Sequence, residues 1–171
     1  DNEISWLNWN LSDAHKGLYE FTKELISFRK KHSLFHRSTE PTLMDHKSVG
    51  LPDVSFHGEK AWCPDFERYS RQLGVFYSAS YGENADGSEE PYFYTAYNMH
   101  WENYALALPK IEGRNGFEVV LKSCDKKENI YIDSEKRKVV MPPRSMAVLI
   151  GEYPERKTTM DVKKKASKNK K

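Results

Sequence analysis

Near the start of the chain, apolar residues recur at the spacing of an amphipathic helix. The recurring positions are Ala14, Leu18, Phe21, Leu25 and Phe28. Intervals of four and three residues place them on one helical face, and Ser12 and Asp13 offer N-cap oxygens just before them. Basic residues accumulate before His32, where the negative end of the helix macrodipole favours them. The pattern predicts a helix that ends at about His32 and whose wide apolar face needs a large partner surface.

After about residue 71 the chain changes to short segments of strand composition, several of which alternate apolar and polar positions. The predicted strands are 72–79, 92–98, 104–108, 117–121, 129–133, 138–141 and 145–150, with a further short strand at 53–58. Turn-forming residues separate them at 82–87, 113–116, 125–128 and Pro142-Pro143. No helical pattern interrupts the series, which predicts a mainly β domain, either an antiparallel β-sandwich or a barrel.

These patterns divide the chain into four segments. They are a helical segment at 1–34, a linker with irregular structure and one short strand at 35–71, a β domain at 72–153, and a basic tail at 154–171 that is predicted to be disordered. A lone helix ahead of a β domain is unusual in a complete protein. The arrangement is expected if the helix is the last element of a domain upstream and the chain is a piece of a larger protein.

Charge and composition narrow the functional classes. The net charge of +2 combines +6 on residues 155–171 with −4 on the rest, so no nucleic-acid groove is expected in the folded part. The lysine-rich end is interpreted as a solubilising tail, with nonspecific binding to anions as the alternative. No apolar run approaches the roughly 20 residues of a membrane helix, which predicts a soluble chain. No signal segment is visible in the sequence, and the expected location is cytoplasmic. Cys63 and Cys124 are predicted to be free thiols, although a disulfide is possible, and no metal or cofactor site is predicted.

Four passages carry a resemblance to a known family. They are DNEISWLNW at 1–9, LYEFTKELISFRKKH at 18–32, DVSFHG at 53–58 followed by Trp62 and PDF at 64–66, and Tyr97-Asn98 with PPRSMAVL at 142–149. They resemble glycogen debranching enzymes of the isoamylase/pullulanase type, which are glycoside hydrolases of the α-amylase superfamily. Asn10 departs from the pattern, since relatives often carry Asp there.

The resemblance implies a (β/α)₈ barrel whose eighth helix is the helix predicted here, followed by the α-amylase-type C-terminal β domain. It also implies retaining hydrolysis by two carboxyl groups about 5 Å apart, which would lie on barrel strands upstream of this chain. The chain alone is therefore expected to have no catalytic residues. Its parent would be an α-1,6-glucosidase that debranches glycogen or starch, and its partner would be the upstream barrel, which the β domain stabilises.

Other candidate groups are interpreted as structural. Neither Asp1 with Glu3 nor Asp65 with Glu67 lies in a context that fixes catalytic geometry. Glu89, Glu90 and Asp125 are interpreted as solvated turn residues, and the glycines at 82 and 87 lack the Lys-Ser/Thr of a phosphate loop. His57 could act as a general base. No Ser, Cys or Asp lies at a sequence spacing typical of a catalytic partner, so a hydrogen-bonded structural histidine is favoured. The remaining histidines are too scattered to predict a metal site.

Aromatic residues are the candidates for sugar contact. Trp6, Trp9, Trp62 and Trp101 are predicted as possible substrate-binding residues, because a tryptophan ring accepts a flat apolar ligand face. For Trp6 and Trp9 the favoured alternative is packing of their loop against the barrel. For Trp62, Phe66, Tyr69 and Trp101 the favoured alternative is burial between linker and sheet. Two rival hypotheses remain: a carbohydrate-binding module with an aromatic α-glucan surface, and a scaffold whose helix face docks another protein.

Overall fold

The computed structural model describes residues 2–6, 15–82, 90–111, 116–124 and 129–151. The chain forms two compact units. One comprises Asp1–Glu40 and Tyr81–Glu90, and the other comprises Pro41–Ser80 and Pro91–Lys171. The predicted tail at 154–171 lies outside the described residues. In the described part, no helix has the length and apolar character needed to cross a membrane.

The first unit contains the predicted helix, α1, at Lys16–Lys31. His15 is its N-cap and makes no side-chain capping hydrogen bond, while the predicted caps Ser12 and Asp13 lie outside the described residues. Its last turn carries the three expected basic residues, and a 3₁₀ turn follows at Ser33–Phe35. Within the described residues no side chain of α1 is buried, although Phe21 and Phe28 of its apolar face are half-buried.

The second unit contains eight described strands. They are β1 Val54–His57, β2 Gln72–Tyr77, β3 Tyr92–Asn98, β4 Tyr104–Ala107, β5 Phe117–Lys122, β6 Tyr131–Asp133, β7 Lys138–Met141 and β8 Ser145–Gly151. Every predicted strand is confirmed, and β3 and β7 have the predicted ends. All pairings between these strands are antiparallel, so the described fold is mainly β with one helix.

The strands form a five-stranded sheet in the order β1-β2-β3-β8-β5 and a three-stranded sheet in the order β4-β7-β6. β1 lies in the segment expected to be a linker, yet it pairs along its whole length with β2. That segment therefore supplies an edge strand of the larger sheet. At the opposite edge, the register of β5 against β8 shifts between Val119 and Leu121, and such a bulge discourages further strand pairing.

Both sheets contribute to one hydrophobic core. Its fully buried members are Phe76, Tyr94, Ala96 and Leu149 from the larger sheet and Leu106, Val139 and Met141 from the smaller sheet. Tyr94 crosses to the smaller sheet, where its hydroxyl donates to the Ala107 carbonyl at 3.0 Å. Its ring lies over Gly74 on the neighbouring strand, and a Cβ added there would overlap the Tyr94 hydroxyl and ring.

Asn98, at the end of β3, joins two turns. Its Nδ2 lies 2.9 Å from the Glu102 carbonyl, 3.2 Å from that of Met141 and 2.9 Å from that of Pro142. Its Oδ1 accepts the His100 N–H at 3.0 Å, and the residue is fully buried. This single side chain therefore connects the β3–β4 turn with the β7–β8 turn.

Candidate functional site

His57 ends β1 and is fully buried. The Trp62 N–H donates to its Nδ1 at 2.9 Å, and its Nε2 lies 3.0 Å from the Ser55 Oγ. Because Nδ1 accepts a hydrogen bond, a neutral His57 carries its proton on Nε2 and donates it to Ser55. The Ser55 hydroxyl is consequently an acceptor and is not activated as a nucleophile.

Burial also removes His57 from proton chemistry near neutral pH. It lowers the pKa of His57 to about 4, because the charged imidazolium is poorly solvated there. Its ring lies among Trp62, Phe76 and Tyr94, with centroids 4.8, 6.2 and 5.6 Å away. The predicted structural histidine is confirmed, and its role is to hold the loop that follows β1.

That loop, residues 58–66, is closely folded. The carbonyl oxygen of Lys60 accepts two backbone hydrogen bonds, one from the Gly58 N–H at 3.2 Å and one from the Cys63 N–H at 3.3 Å. A Cβ added to Gly58 would lie 2.7 Å from the Cys63 carbonyl oxygen, so only glycine fits. Trp62 has a φ of 64°, a left-handed conformation that is rare for a bulky residue. The His57 hydrogen bond therefore holds Trp62 in a strained backbone conformation.

The four aromatic residues that were expected to be buried are exposed. The exposed fractions are 45% for Trp62, 68% for Phe66, 75% for Tyr69 and 61% for Trp101. The expectation of burial between linker and sheet is therefore wrong. These residues lie in connections at the ends of the strands, where the larger sheet contacts only part of a ring, as Phe76 contacts Trp62 and Phe56 contacts Phe66. We call these four residues the aromatic end surface.

Sheet topology brings their connections to one end of the five-stranded sheet. In the register of β1, β2 and β3, His57 pairs with Gly74 and Gln72 with Asn98. The connections that leave β1 and β3 therefore both lie beside the start of β2. The Met99 N–H donates to the Arg71 carbonyl at 2.7 Å and joins the two connections directly.

The two tryptophans of this surface differ in how open their rings are. The His100 ring stacks on Trp101 with centroids 4.2 Å apart and planes 27° apart, and the Arg71 guanidinium lies over the same ring at 5.4 Å. Trp62 meets His57 at 56° and Phe76 at 69°, so its contacts with described rings are tilted or edge-on. Trp62 is therefore better placed than Trp101 to stack on a ligand.

The other predicted sugar-contact residues belong to the first unit. Trp6 follows a turn at residues 2–5 that is closed by the Ser5 N–H, which donates to the Asn2 carbonyl at 3.0 Å. The Trp6 side chain is exposed by 62%. Trp9 lies outside the described residues. The structure therefore groups Trp62 and Trp101 at one end of the sheet and places Trp6 in the other unit.

Glu90 is buried, so its interpretation as a solvated turn residue is wrong. One carboxylate oxygen lies 2.9 Å from His32 Nδ1, while the other accepts the Ser33 N–H at 2.6 Å and the Ser33 hydroxyl at 3.0 Å. A Cβ on Gly82 would overlap the Glu90 side chain, so glycine leaves room for this cluster. Glu89 and Asp125 lie outside the described residues.

Asp53 is a second buried carboxylate with a structural role. It accepts the Thr42 N–H at 2.8 Å through Oδ2. Its Oδ1 accepts the Leu43 N–H at 2.9 Å and the Val54 N–H at 2.8 Å. Three backbone donors engage this carboxylate and fix the segment before β1 against the start of that strand.

The proposed carboxylate pairs do not form a site in the described residues. The exposed Asp65 accepts the Glu67 N–H at 3.0 Å, which makes a local turn. Asp1 lies outside the described residues, and Glu3 is exposed. The structure shows no disulfide between Cys63 and Cys124, in line with the predicted thiols. Within the described ranges, no group of three or more His, Cys, Asp or Glu side chains is arranged to hold a metal ion.

Sequence reasoning missed the cluster of His32, Ser33 and Glu90. The two ends of this cluster are 58 residues apart, and no local pattern connects them. It also missed Arg71 as a neighbour of Trp101, since that contact depends on strand register. A signal was present for the His57 loop, because glycine follows the histidine directly where the chain turns back.

Comparison with known proteins identifies no family for this chain. No protein-family model matches it, and no curated protein matches it at a significant level.

Proposed function

We propose that the chain is a non-catalytic C-terminal region of an α-1,6-glucosidase that debranches glycogen or starch. In this proposal, α1 is the last helix of a catalytic (β/α)₈ barrel. The β unit is an α-amylase-type β-sandwich that stabilises the barrel, and the barrel is the partner of the apolar helix face. The observation that carries the proposal is that no residue of α1 is buried in the described structure.

The exposed fractions define the uncovered surface. On the predicted face Leu18 is exposed by 67% and Leu25 by 39%, while Phe21 and Phe28 are half-buried. Beside that face, Tyr19 is exposed by 62% and Ile26 by 50%. Burying one leucine side chain is worth about 1.5–3 kcal/mol, so a helix that leaves two of them in water forgoes much of its stabilisation. Contiguous exposed apolar surface of this kind marks an interaction site. A barrel that packs on α1 would supply the missing contact.

The residues that carry the family resemblance have structural positions that fit a supporting domain. His57 holds the loop after β1, and Asn98 ties the turn after β3 to the turn after β7. Ser145 is also fully buried and donates to the Pro142 carbonyl at 2.7 Å. These motif residues stabilise a β domain and leave the chemistry to another part of the protein.

The two sheets fit the proposed sandwich. Five strands lie in one sheet and three in the other, and both present buried side chains to a shared core. Such a domain is stable without metal or disulfide at this size. It therefore suits a stabilising role beside a barrel.

The test uses the gene product that contains the barrel, together with the 171-residue chain. Leu18 and Leu25 are both replaced by glutamate, and Ser27→Glu on the opposite helix face is the matched control. In the gene product, the leucine variant should lose about 3 kcal/mol or more of stability and the control less than 0.5 kcal/mol, roughly the limit for surface changes. In the chain alone, neither variant should change the unfolding midpoint appreciably.

The proposal would be wrong if the gene product lost no more stability with the two glutamates than with Ser27→Glu. An encoded protein that contains no barrel would also overturn it. A stability loss of the same size in the 171-residue chain alone would mean that the helix face is already covered within it.

A further inference from the structure

We propose that the loop at residues 58–66 binds an α-glucan chain, with Trp62 as the ring on which one glucose unit stacks. The choice of α-glucan as the ligand rests on the proposed function. The site itself rests on the geometry of the loop.

The first support is that the loop holds a tryptophan in a conformation that tryptophan disfavours. A φ of 64° suits glycine or asparagine far better than an aromatic residue. A buried histidine nevertheless accepts the Trp62 N–H at 2.9 Å and fixes the backbone there. Strain of this kind persists where the surroundings impose it, and it concentrates at ligand contacts.

The second support is that the indole is anchored and still open. Its edge contacts reach the buried Phe76 and His57, while 45% of the residue remains exposed. An anchored ring loses little conformational entropy when a ligand binds, which favours affinity. The described rings meet Trp62 at a tilt or edge-on and do not stack parallel to it. The C–H face of a pyranose ring is the kind of flat apolar surface that such an indole accepts.

The third support is the chemistry around the ring. Glu59, Lys60 and Asp65 are exposed in the same loop, and Glu59 lies 3.8 Å from the ammonium group of Lys138. These charges have mixed sign, so the loop is not built for a polyanion or a polycation. An apolar face with donors and acceptors around it matches a neutral polyhydroxylated ring.

Affinity electrophoresis tests the site. The 171-residue chain is run in native gels with glycogen, with hydroxyethylcellulose and with no polysaccharide. The variants are Trp62→Asn, Trp62→Ala and, as an exposed tryptophan of the same unit, Trp101→Ala. Asparagine accepts the left-handed backbone, so Trp62→Asn removes the ring while the loop keeps its conformation. Thermal unfolding of each variant checks that it is folded.

We expect glycogen to retard the wild type and Trp101→Ala, and hydroxyethylcellulose to retard neither. Both Trp62 variants should bind glycogen about tenfold more weakly or worse, as expected for loss of one stacking contact. The proposal is wrong if glycogen does not retard the wild type, or if Trp62→Asn is retarded as strongly as the wild type. Equal loss in Trp101→Ala would also overturn the assignment to Trp62, and equal retardation by hydroxyethylcellulose would overturn the α-glucan ligand.

The outcome is independent of the test of the C-terminal assignment. That test measures stability through Leu18 and Leu25 in the first unit, whereas Trp62 lies in the second. Failure of the glucan site would therefore leave the result of the helix test unchanged.

Discussion

Replacing Asn98 with alanine removes the only described side chain that bonds to both the β3–β4 turn and the β7–β8 turn. The change deletes an amide whose nitrogen reaches three backbone carbonyls and whose oxygen accepts the His100 N–H. The Glu102 carbonyl belongs to an exposed residue, and water can replace its bond. The Met141 carbonyl belongs to a buried residue, but Met141 pairs with Tyr104 in the smaller sheet and does not depend on Asn98 alone.

The expected loss of stability follows from the hydrogen bonds that the Asn98 side chain makes. Each lost hydrogen bond is worth about 1 kcal/mol, and a buried group left without a partner costs about 1–3 kcal/mol. Pro142 keeps one donor, because the Ser145 hydroxyl lies 2.7 Å from its carbonyl oxygen. We therefore expect Asn98→Ala to destabilise the chain by about 3 kcal/mol, a large part of the 5–15 kcal/mol typical of a domain.

Urea unfolding followed by near-ultraviolet circular dichroism measures the effect, with an unchanged m-value as evidence that both proteins unfold from the same native state. Ser145→Ala alone should cost about 1 kcal/mol. The double variant leaves Pro142 with neither donor, so its loss should exceed the sum of the single losses by about 0.5 kcal/mol or more. A loss below about 1 kcal/mol in Asn98→Ala, or strict additivity in the double variant, would refute this account of the turn.

Two further predictions concern buried side chains of the β unit. The pKa of His57 is about 4 in the folded chain and 6.5 in the unfolded chain. Between these pH values only the unfolded state takes up a proton at this residue. The free energy of unfolding should therefore fall by up to about 3 kcal/mol as the pH drops from 6.5 to 4. Urea unfolding across this range should show a shallower pH dependence in His57→Gln, and an unchanged slope would contradict the assignment. Gly74→Ala should cost about 1–3 kcal/mol because its methyl group overlaps Tyr94. The cost should be smaller in a Tyr94→Phe background, and equal costs in both backgrounds would show that the hydroxyl is not the obstacle.

The strands were predictable because their signals are local. Turn residues mark their ends, and β8 is buried at every second position from Ser145 to Gly151, as its alternation predicts. The helix was equally clear from Leu18, Phe21 and their repeats. The described helix begins at Lys16, and the predicted caps Ser12 and Asp13 lie outside the described residues.

The misjudged residues are those whose environment depends on distant parts of the chain. Glu90 has the sequence context of a turn, but its burial comes from His32 and Ser33, which lie 58 and 57 residues away. The exposure of Trp62 and Trp101 depends on which strand ends lie together. The register of the sheet determines which strand ends lie together, and no short stretch of the sequence contains this information.

The most direct measurement of the central claim is the release of reducing ends from a branched α-glucan. Equal molar amounts of the 171-residue chain and of the gene product that is proposed to contain a barrel are incubated with glycogen. The account predicts that the gene product cleaves α-1,6 branch points and that the chain alone releases nothing above the blank. Cleavage by the chain alone, or a gene product that leaves every branch point intact, would contradict it.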